Sequence, residues 1–350
     1  MYTIDDLIKI AVERKASDLH ITVGKPPCLR EDGELREIEG FAPLMPGDVN
    51  ALIIPAIPEH KKHALEEKGD TDFAYVAHNN RMRVNVYKQR GNYAMALRIL
   101  ARIIPTLDDL RLPPVLKNFC MLPRGLILVT GATGSGKSTT LAAMVDYINE
   151  DRAQHIITIE DPIEYLHQHK KSMVNQREVS EDTIGFAPSL HAALREDPDI
   201  ILVGEMRDLD TIRAAITAAE TGHLVFSTLH TMGASNTIDR IIDVFPPAQQ
   251  QQIRTQLSES LQGVVSQQLL PLKGSPGRIA ALEIMVCTDA ISNLIREGKA
   301  HQIDNFIQTG KEHGMQAMDS DLAKLVKTGT VEQSVAQRKA VNIKEFKKYL

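Results

Sequence analysis

A glycine-rich segment at 131–138 carries the strongest chemical signal in this chain. It reads Gly-Ala-Thr-Gly-Ser-Gly-Lys-Ser and matches the phosphate-binding pattern G-x-x-x-x-G-K-[ST] in full. Glycines in such a loop let backbone N–H groups converge on phosphate oxygens at a helix N-terminus. We expect Lys137 to reach the β- and γ-phosphates of ATP and Ser138 to ligate Mg²⁺. The predicted nucleotide-binding residues of the loop are Thr133, Gly134, Ser135, Gly136, Lys137, Ser138 and Thr139.

Acidic residues follow two other apolar runs. The run at 199–205 ends in Glu205, which matches a carboxylate placed near Mg²⁺ and the γ-phosphate at the end of a buried strand. After the run at 155–159 come Glu160, Asp161 and Glu164. A carboxylate at this end of a sheet can orient and deprotonate an attacking water. Acidic residues that precede a helix can also complement the helix dipole. We expect these two roles to fall on different residues of the three.

Histidine and arginine supply further candidates. His223 and His230 bracket one apolar run, and their spacing on a strand points them to opposite faces, which argues against a shared metal site. Each is either a hydrogen-bonding structural residue or a γ-phosphate sensor. The arginines are either solvated charges or suppliers of an arginine finger, which contributes about 10³–10⁵ in rate. They are Arg81, Arg83, Arg98, Arg111 and Arg124.

Short apolar runs that alternate with helical stretches must position these residues. The runs lie at 126–130, 155–159, 200–203 and 223–229. Buried parallel strands read this way, so the pattern predicts a doubly wound α/β domain, with a helical region from about 288.

The first hundred residues predict a small α+β domain with an antiparallel sheet. The predicted elements are a helix at 4–14, a strand at 18–23, a hairpin at 28–35 with its turn at Asp32-Gly33, a helix at 47–68, and strands at 81–88 and 93–100. Residues 104–115, rich in Pro, Leu and Asp, are predicted to be a linker. The predicted domains are therefore 1–103 and 116–350.

Composition excludes several classes of protein. With 43% hydrophobic and 24% charged residues, the chain is typical of soluble globular proteins. No apolar run approaches the roughly 18 residues of a membrane helix, and we read no signal peptide. A net charge of −5 gives no overall basic field for nucleic acid. The cysteines, Cys28, Cys120 and Cys287, form no CxxC pair, so we expect reduced thiols in a cytoplasmic protein.

Several segments together resemble one family. These are ASDLHITVGKPPCLREDGELREI (16–38), PRGLILVTGATGSGKSTTLAAM (123–144), ITIEDPIEYLH (157–167) and the long block at 194–231 that contains GEMRD and TGHLVFSTLHT. In this order they resemble the PilT family of type IV pilus retraction ATPases, within the type II/IV secretion ATPase superfamily. The resemblance covers nearly the whole chain. It implies a PAS-like N-terminal domain, a RecA-like ATPase domain and a homo-hexameric ring. Such a ring would act on the inner-membrane pilus platform protein (PilC-like), at the cytoplasmic face of the membrane.

The resemblance also assigns roles to matching positions. It makes Glu160, Asp161 and Glu164 an acidic box, with Glu164 activating water, and Glu205 the Walker B acid that assists Mg²⁺. His223 and His230 become a histidine box. Nucleotide contacts, some from a neighbouring subunit, are implied for Arg81, Arg83, Arg98 and Arg124.

Two positions depart from the family pattern. Ala132 stands where the family usually has Pro, and Ser292 stands where the motif AIRNLIRE has Arg. The first change should matter little, because its side chain is not needed for phosphate contact. The second removes a surface charge and bears on motor output rather than hydrolysis.

Three other functions remain open at this point. An extension or type II secretion ATPase would usually carry extra N-terminal domains and a tetracysteine element. A PilU-like accessory subunit would work beside a second retraction ATPase. A DNA translocase would need a basic stripe, for which the acidic balance gives no support.

Overall fold

The computed structural model describes residues 2–31, 33–100 and 103–350, and these fall into two compact units, Met1–Ile103 and Ile104–Leu350. Asp32 of the predicted hairpin turn lies outside the described residues. Within the described parts, no helix is long and apolar enough to cross a membrane. All three cysteines are free thiols, as expected.

The first unit is an antiparallel sheet with helices. Its elements are α1 (Ile4–Glu13), β1 (Asp18–Ile21), β2 (Cys28–Glu31), β3 (Glu34–Glu37), α2 (Pro46–Ile53), α3 (Glu59–Lys68), β4 (Asp70–Ala77), β5 (Asn80–Gln89) and β6 (Asn92–Ile99). The strand order is β3-β2-β1-β6-β5-β4, and every neighbouring pair is antiparallel. Apolar side chains of α1, such as Leu7 and Ile8, are buried against alternate strand residues such as Leu19 and Leu97.

One helix of this unit differs from its prediction. The expected single helix at 47–68 is two helices, α2 and α3, with a short 3₁₀ turn at Ile54–Ala56 between them. Pro55 and Pro58 explain the break, because proline lacks the N–H that a continuing helix would use. The strand β4 was not predicted, although Thr71 and Phe73 alternate in burial with exposed neighbours.

The second unit is a seven-stranded sheet between helices. Its strands are β7 (Gly125–Thr130), β8 (His155–Glu160), β9 (Met173–Glu178), β10 (Ile200–Val203), β11 (Leu224–Leu229), β12 (Leu261–Pro271) and β13 (Arg278–Val286). The order is β13-β12-β7-β11-β10-β8-β9. Only the β12–β13 pair is antiparallel. The expected doubly wound α/β fold is therefore confirmed.

Helices cover both faces of this sheet and form the C-terminal region. They are α4 (Val115–Cys120), α5 (Lys137–Asp151), α6 (Phe186–Ala193), α7 (Leu209–Glu220), α8 (Ala234–Asp243), α9 (Pro247–Ser260), α10 (Asp289–Arg296), α11 (Ile303–Thr309), α12 (Met318–Lys327), α13 (Gln333–Lys339) and α14 (Ile343–Tyr349). The strands β7, β10 and β11 are buried throughout, which is why they read as unbroken apolar runs.

The segment predicted as a linker is instead part of the second unit. Leu107, Leu112 and Val115 are buried and join the apolar cluster that includes Ile127 of β7. A hydrogen bond from the Leu112 amide to the Leu107 carbonyl, at 3.0 Å, closes a turn within it. Residues 104–115 are thus packed, because their leucines cover one face of the sheet.

Candidate functional site

The glycine-rich loop connects β7 to α5 and is shaped by contacts that exclude side chains. A Cβ on Gly131 would lie 2.3 Å from the Gln267 carbonyl oxygen, and one on Gly136 would lie 2.7 Å from Gln267 Nε2. Both glycines also have positive φ angles, +139° and +89°. The loop therefore needs glycine at these positions for space as well as for conformation.

Gln267 of β12 holds the loop in place through its side-chain amide. Its Nε2 donates to the Ser135 carbonyl oxygen at 2.7 Å, and its Oε1 accepts from Thr140 Oγ1 at 2.8 Å. All three residues are buried. One side chain thus ties the phosphate loop to both the neighbouring strand and the first turn of α5.

Lys137 lies within this loop with its ammonium turned toward backbone carbonyls. Nζ donates to the Gly131 oxygen at 2.8 Å and to the Ala132 oxygen at 3.2 Å. Desolvation lowers the pKa of Lys137, and the nearby charges of Glu205 and Glu164 oppose that shift. The ammonium therefore lies where two carboxylates favour its charged form, next to the loop.

The loop opens into a cavity of about 470 Å³ at the carboxyl edge of the sheet. Most of the predicted site residues line it. They are Thr133, Gly134, Gly136, Lys137, Ser138, Thr139, Glu160, Glu164, Glu205 and His230. Ser135 is buried within the loop, and its Oγ has no hydrogen-bond partner among the described residues.

Glu205 follows β10 and lines this cavity, where its carboxylate contacts His230 and Arg207. Its Oε2 is 3.3 Å from His230 Nε2, and its other oxygen forms an ion pair with Arg207. The Glu205 side chain is only 12% exposed, whereas His230 and Arg207 are 49% and 69% exposed. The carboxylate is therefore largely buried in the cavity, whereas its two partners lie on the solvent side.

The acidic segment after β8 contains three carboxylates that line the cavity, and Asp161 is exposed there. Glu160 Oε1 accepts from Thr158 Oγ1 at 2.7 Å and from Gln176 Nε2 at 3.1 Å. Burial raises the pKa of Glu160 above its usual value, although these hydrogen bonds act against the shift. Glu164, in contrast, is exposed where it lines the cavity. Glu160 is therefore placed to hold the acidic segment in position, and Glu164 is placed to act on a bound molecule.

Two predicted residues lie at the opposite edge of the sheet. His223 precedes β11, and its Nδ1 lies 2.9 Å from the Ala218 carbonyl oxygen. The length of β11, about 20 Å, separates His223 from His230. Arg124 precedes β7 and lines a separate small cavity with Glu220 and Glu259. Neither lines the nucleotide cavity of its own chain, because both stand at the amino ends of strands whose carboxyl ends form that cavity.

The predicted arginines of the first unit have partners within that unit. Arg98 Nε lies 2.9 Å from Asp18 Oδ1, and Arg83 Nε lies 3.8 Å from Asp72 Oδ1. Arg83 and Arg98 are paired across β5 and β6, and Arg81 lies two residues away on β5. The three predicted arginines therefore cluster on neighbouring strands.

Several residues of the cavity were missed by sequence reasoning. Tyr165, whose hydroxyl is 3.0 Å from Thr139 Oγ1, lies five residues after the first acid of its segment. Arg207 lies two residues after Glu205, and a basic residue so close to a predicted metal-assisting acid was a usable signal. Leu269 and Arg278 come from β12 and β13, for which no motif gave a hint.

Comparison with known proteins decides the family. A model described as type II/IV secretion system protein matches residues 1–275. The chain belongs to the type II/IV secretion system protein family. A Pseudomonas aeruginosa relative named type IV pilus retractation ATPase PilT is 51% identical over 338 residues, which cover 96% of this chain and 98% of that relative. A twitching motility protein of Neisseria gonorrhoeae is 46% identical over 317 residues, or 90% of this chain and 84% of the relative.

A solved structure extends this agreement to the fold. It is the crystal structure of the pilus retraction motor PilT with bound ADP, which matches with a TM-score of 0.94 and 49% identity. The match covers 99% of this chain and 100% of that one. The secretion-ATPase fold, an N-terminal domain followed by a RecA-like ATPase domain, is therefore present here.

The loop of this family member fits a nucleoside triphosphate with Mg²⁺. In the described parts of the chain, the buried Ser135 Oγ has no partner, and a Cβ built on Gly134 would meet no atom within 4 Å, so the loop offers polar atoms and open space for phosphate oxygens. Ser138 is exposed at the first turn of α5, and Glu205 faces the same cavity. Oxygen atoms of this kind are the ligands that Mg²⁺ prefers.

Proposed function

We propose that this chain is an ATP-hydrolysing motor that powers retraction of type IV pili. The observation that carries the proposal is one cavity in which the phosphate loop, Glu164 and Glu205 converge. That cavity lies in a chain that is 51% identical, over nearly its full length, to a relative named for pilus retraction. The bound nucleotide in the similar crystal structure, ADP, supports ATP as the substrate.

The proposed chemistry divides among the residues of the cavity. Lys137 leaves the carbonyl oxygens of Gly131 and Ala132 to contact the β- and γ-phosphates. Ser138 would hold Mg²⁺, and this ion neutralises phosphate charge when it is bound. Glu164 accepts a proton from the attacking water, because it is an exposed carboxylate of the cavity whose charge also acts on Lys137 of the phosphate loop. Glu205 would help to hold Mg²⁺, and Arg207 and His230 contact the Glu205 carboxylate before the nucleotide binds.

Motion is the proposed output of this site. We place Arg81, Arg83 and Arg98 at the nucleotide of a neighbouring copy in a hexameric ring, where they would neutralise charge on the transferred phosphoryl group. Arg98 must then exchange Asp18 for phosphate, so hydrolysis is coupled to a change of partner. A head-to-tail interface that closes on itself generates such a ring. The partner proposed for it is an inner-membrane pilus platform protein (PilC-like).

Hydrolysis is tested by comparing phosphate release from the purified full-length protein with that from Lys137→Ala. We expect the variant to lose at least about 100-fold in turnover, because the loop loses its contact to the transferred phosphoryl group. Lys327→Ala is the matched control, since Lys327 is an exposed lysine at the end of α12. Turnover by Lys137→Ala at the rate of the control would contradict the proposed site, and a monomeric mass with Mg²⁺ and ATP would contradict the ring.

A further inference from the structure

Residues 230–233 join β11 to α8 and carry His230, and we call them the histidine loop. β11 ends at Leu229, and α8 begins at Ala234. One end of the loop is fixed by β11, which is paired with β7 and β10. The His230 ring extends from this end, and among the described residues its polar partner is Glu205, at 3.3 Å. The orientation of the ring therefore depends on how the backbone of the loop is held at its other end.

That other end lacks the side-chain cap with which a helix usually begins. The residue before α8 is Gly233, whose φ of +85° suits glycine and which has no side chain to accept the first amides of the helix. Two side chains of the sheet accept these amides instead. Ser266 Oγ accepts from the Gly233 amide at 3.0 Å, and a Glu283 carboxylate oxygen accepts from the Ala234 amide at 2.8 Å. The cap of α8 is thus supplied by β12 and β13.

Ser266 and Glu283 form a pair because they are direct partners in the register of β12 and β13, which places their side chains on one face of the sheet. Ser266 is buried and Glu283 is half-buried. Burial raises the pKa of the Glu283 carboxyl, and the hydrogen bond from the Ala234 amide acts against this shift. Gln267, the next residue of β12, points to the opposite face and holds the phosphate loop. β12 therefore holds both the phosphate loop and the histidine loop.

We propose that Glu283, together with Ser266, is a positioning residue of the nucleotide site, which holds the start of α8 so that His230 meets Glu205. This inference rests on the proposed function, because it takes the cavity to hydrolyse ATP. Neither Glu283 nor Ser266 is among the described residues that line the cavity, so both act through the histidine loop. Loss of their hydrogen bonds lets the loop shift, and a displacement of about 1 Å in an active site can cost about 10²-fold in rate.

Steady-state phosphate release from the full-length protein tests whether Glu283 acts through His230. We expect Glu283→Ala to lower kcat about 10–100-fold and to leave ADP affinity unchanged, because the phosphate loop is intact. Glu283→Gln keeps an oxygen that can accept from the Ala234 amide, so it should retain most of the turnover. His230→Ala should lower kcat at least as much as Glu283→Ala. In a protein that already carries His230→Ala, Glu283→Ala should change kcat by less than about twofold, since residues that act as one unit are not additive.

Asp321→Ala is the matched control for this change. Asp321 is a half-buried carboxylate of α12 that accepts from the Leu282 amide at 2.9 Å, and this bond does not involve the histidine loop. We expect its kcat to stay within about twofold of the unaltered protein.

Ser266→Ala is a milder second variant of the pair, and it keeps the test decisive if Glu283→Ala does not fold. It should lower kcat in the protein that carries His230 and leave kcat unchanged in the His230→Ala protein. Equal fold losses in these two backgrounds would overturn the positioning role, and so would full turnover by Glu283→Ala or by His230→Ala. If the unaltered protein released no phosphate from ATP, the proposed ATPase itself would be wrong, so the two failures are distinguishable.

Discussion

Glu160 and Glu164 belong to one acidic segment, yet the structure gives them different work. Both line the cavity, but Glu160 is half-buried and accepts hydrogen bonds from Thr158 and Gln176, whereas Glu164 is exposed. A carboxylate that already accepts two hydrogen bonds is poorly placed to receive a proton from water. Glu164 therefore remains the proposed base.

Replacing Glu164 with Gln should remove turnover without removing the nucleotide. We expect Glu164→Gln to lower kcat by about 10²–10⁴-fold, the range for loss of a general base. ADP affinity should stay close to that of the unaltered protein, because the phosphate loop is intact. Steady-state kinetics and ADP titration measure the two effects.

The control for this change is Glu259→Gln, an exposed carboxylate at the end of α9 on the opposite edge of the sheet. Full turnover by Glu164→Gln, together with loss of turnover by Glu160→Gln, would reverse the assignment of the two acids.

The sequence predicted which residues share a cavity where those residues belong to a motif. Lys137, Glu205, Glu164 and His230 all reach one cavity. It failed for Gln267, which lies more than a hundred residues after the loop that it holds. Only the pairing of β12 with β7 brings that amide to Ser135, and no local pattern encodes such a pairing.

At the scale of elements, β12 holds the phosphate loop through the side-chain amide of Gln267, and a substitution of Gln267 tests this contact. Gln267→Leu keeps the size of the side chain but leaves the Ser135 carbonyl and the Thr140 hydroxyl without their partner. We expect ATP to bind about tenfold more weakly, since losing a buried hydrogen-bond partner costs about 1–3 kcal/mol. The melting temperature should fall only modestly, because the β-ladder is backbone-bonded.

A neighbouring amide serves as the control for this substitution. Gln268→Leu alters the next residue of β12, whose Nε2 instead donates to the Lys339 carbonyl oxygen at 3.2 Å, away from the loop. Equal losses of ATP affinity in both variants would show a general disturbance of β12 rather than a role for Gln267 in shaping the loop.

The ion pair between Asp18 of β1 and Arg98 of β6 predicts that the stability of the first unit depends on pH. Desolvation raises the pKa of Asp18, but hydrogen bonds from Ser17 and Arg98 outweigh it and hold the pKa below its usual value. A depressed carboxyl pKa stabilises the folded state above the unfolded-state pKa of about 3.9, and that stability is lost as the pH falls through the folded value. Asp18→Asn should therefore lower the melting temperature at pH 7.

Thermal melts across the pH range measure this effect. The difference between Asp18→Asn and the unaltered protein should shrink as the pH falls below about 4, where the native carboxyl also becomes protonated. A difference that stayed constant down to pH 2 would show that Asp18 acts through packing and not through its charge.

The predictability of elements followed their burial pattern. The central strands β7, β8, β10 and β11 were predicted, because burial on both faces makes each an apolar run. The last two strands of the chain, which lie beside each other at one side of the sheet, were not predicted. β12 and β13 carry polar residues such as Ser266, Gln267 and Glu283, which have specific partners inside the fold and break the apolar pattern.

At the scale of the whole molecule, the proposed motor needs more than one copy of the chain. The cavity collects the loop, the acids and His230 from the second unit, while the proposed transition-state arginines belong to the first. Hydrolysis would then depend on how neighbouring copies meet, and the energy of ATP would appear as movement of the ring.

The rate of pilus retraction in living cells tests this account most directly. Glu164→Gln replaces the chromosomal copy, and labelled pili are followed by fluorescence microscopy. The account predicts that pili still extend, that retraction stops, and that cells become heavily piliated and lose twitching. Retraction at the unaltered rate, or a loss of surface pili through failed extension, would contradict it.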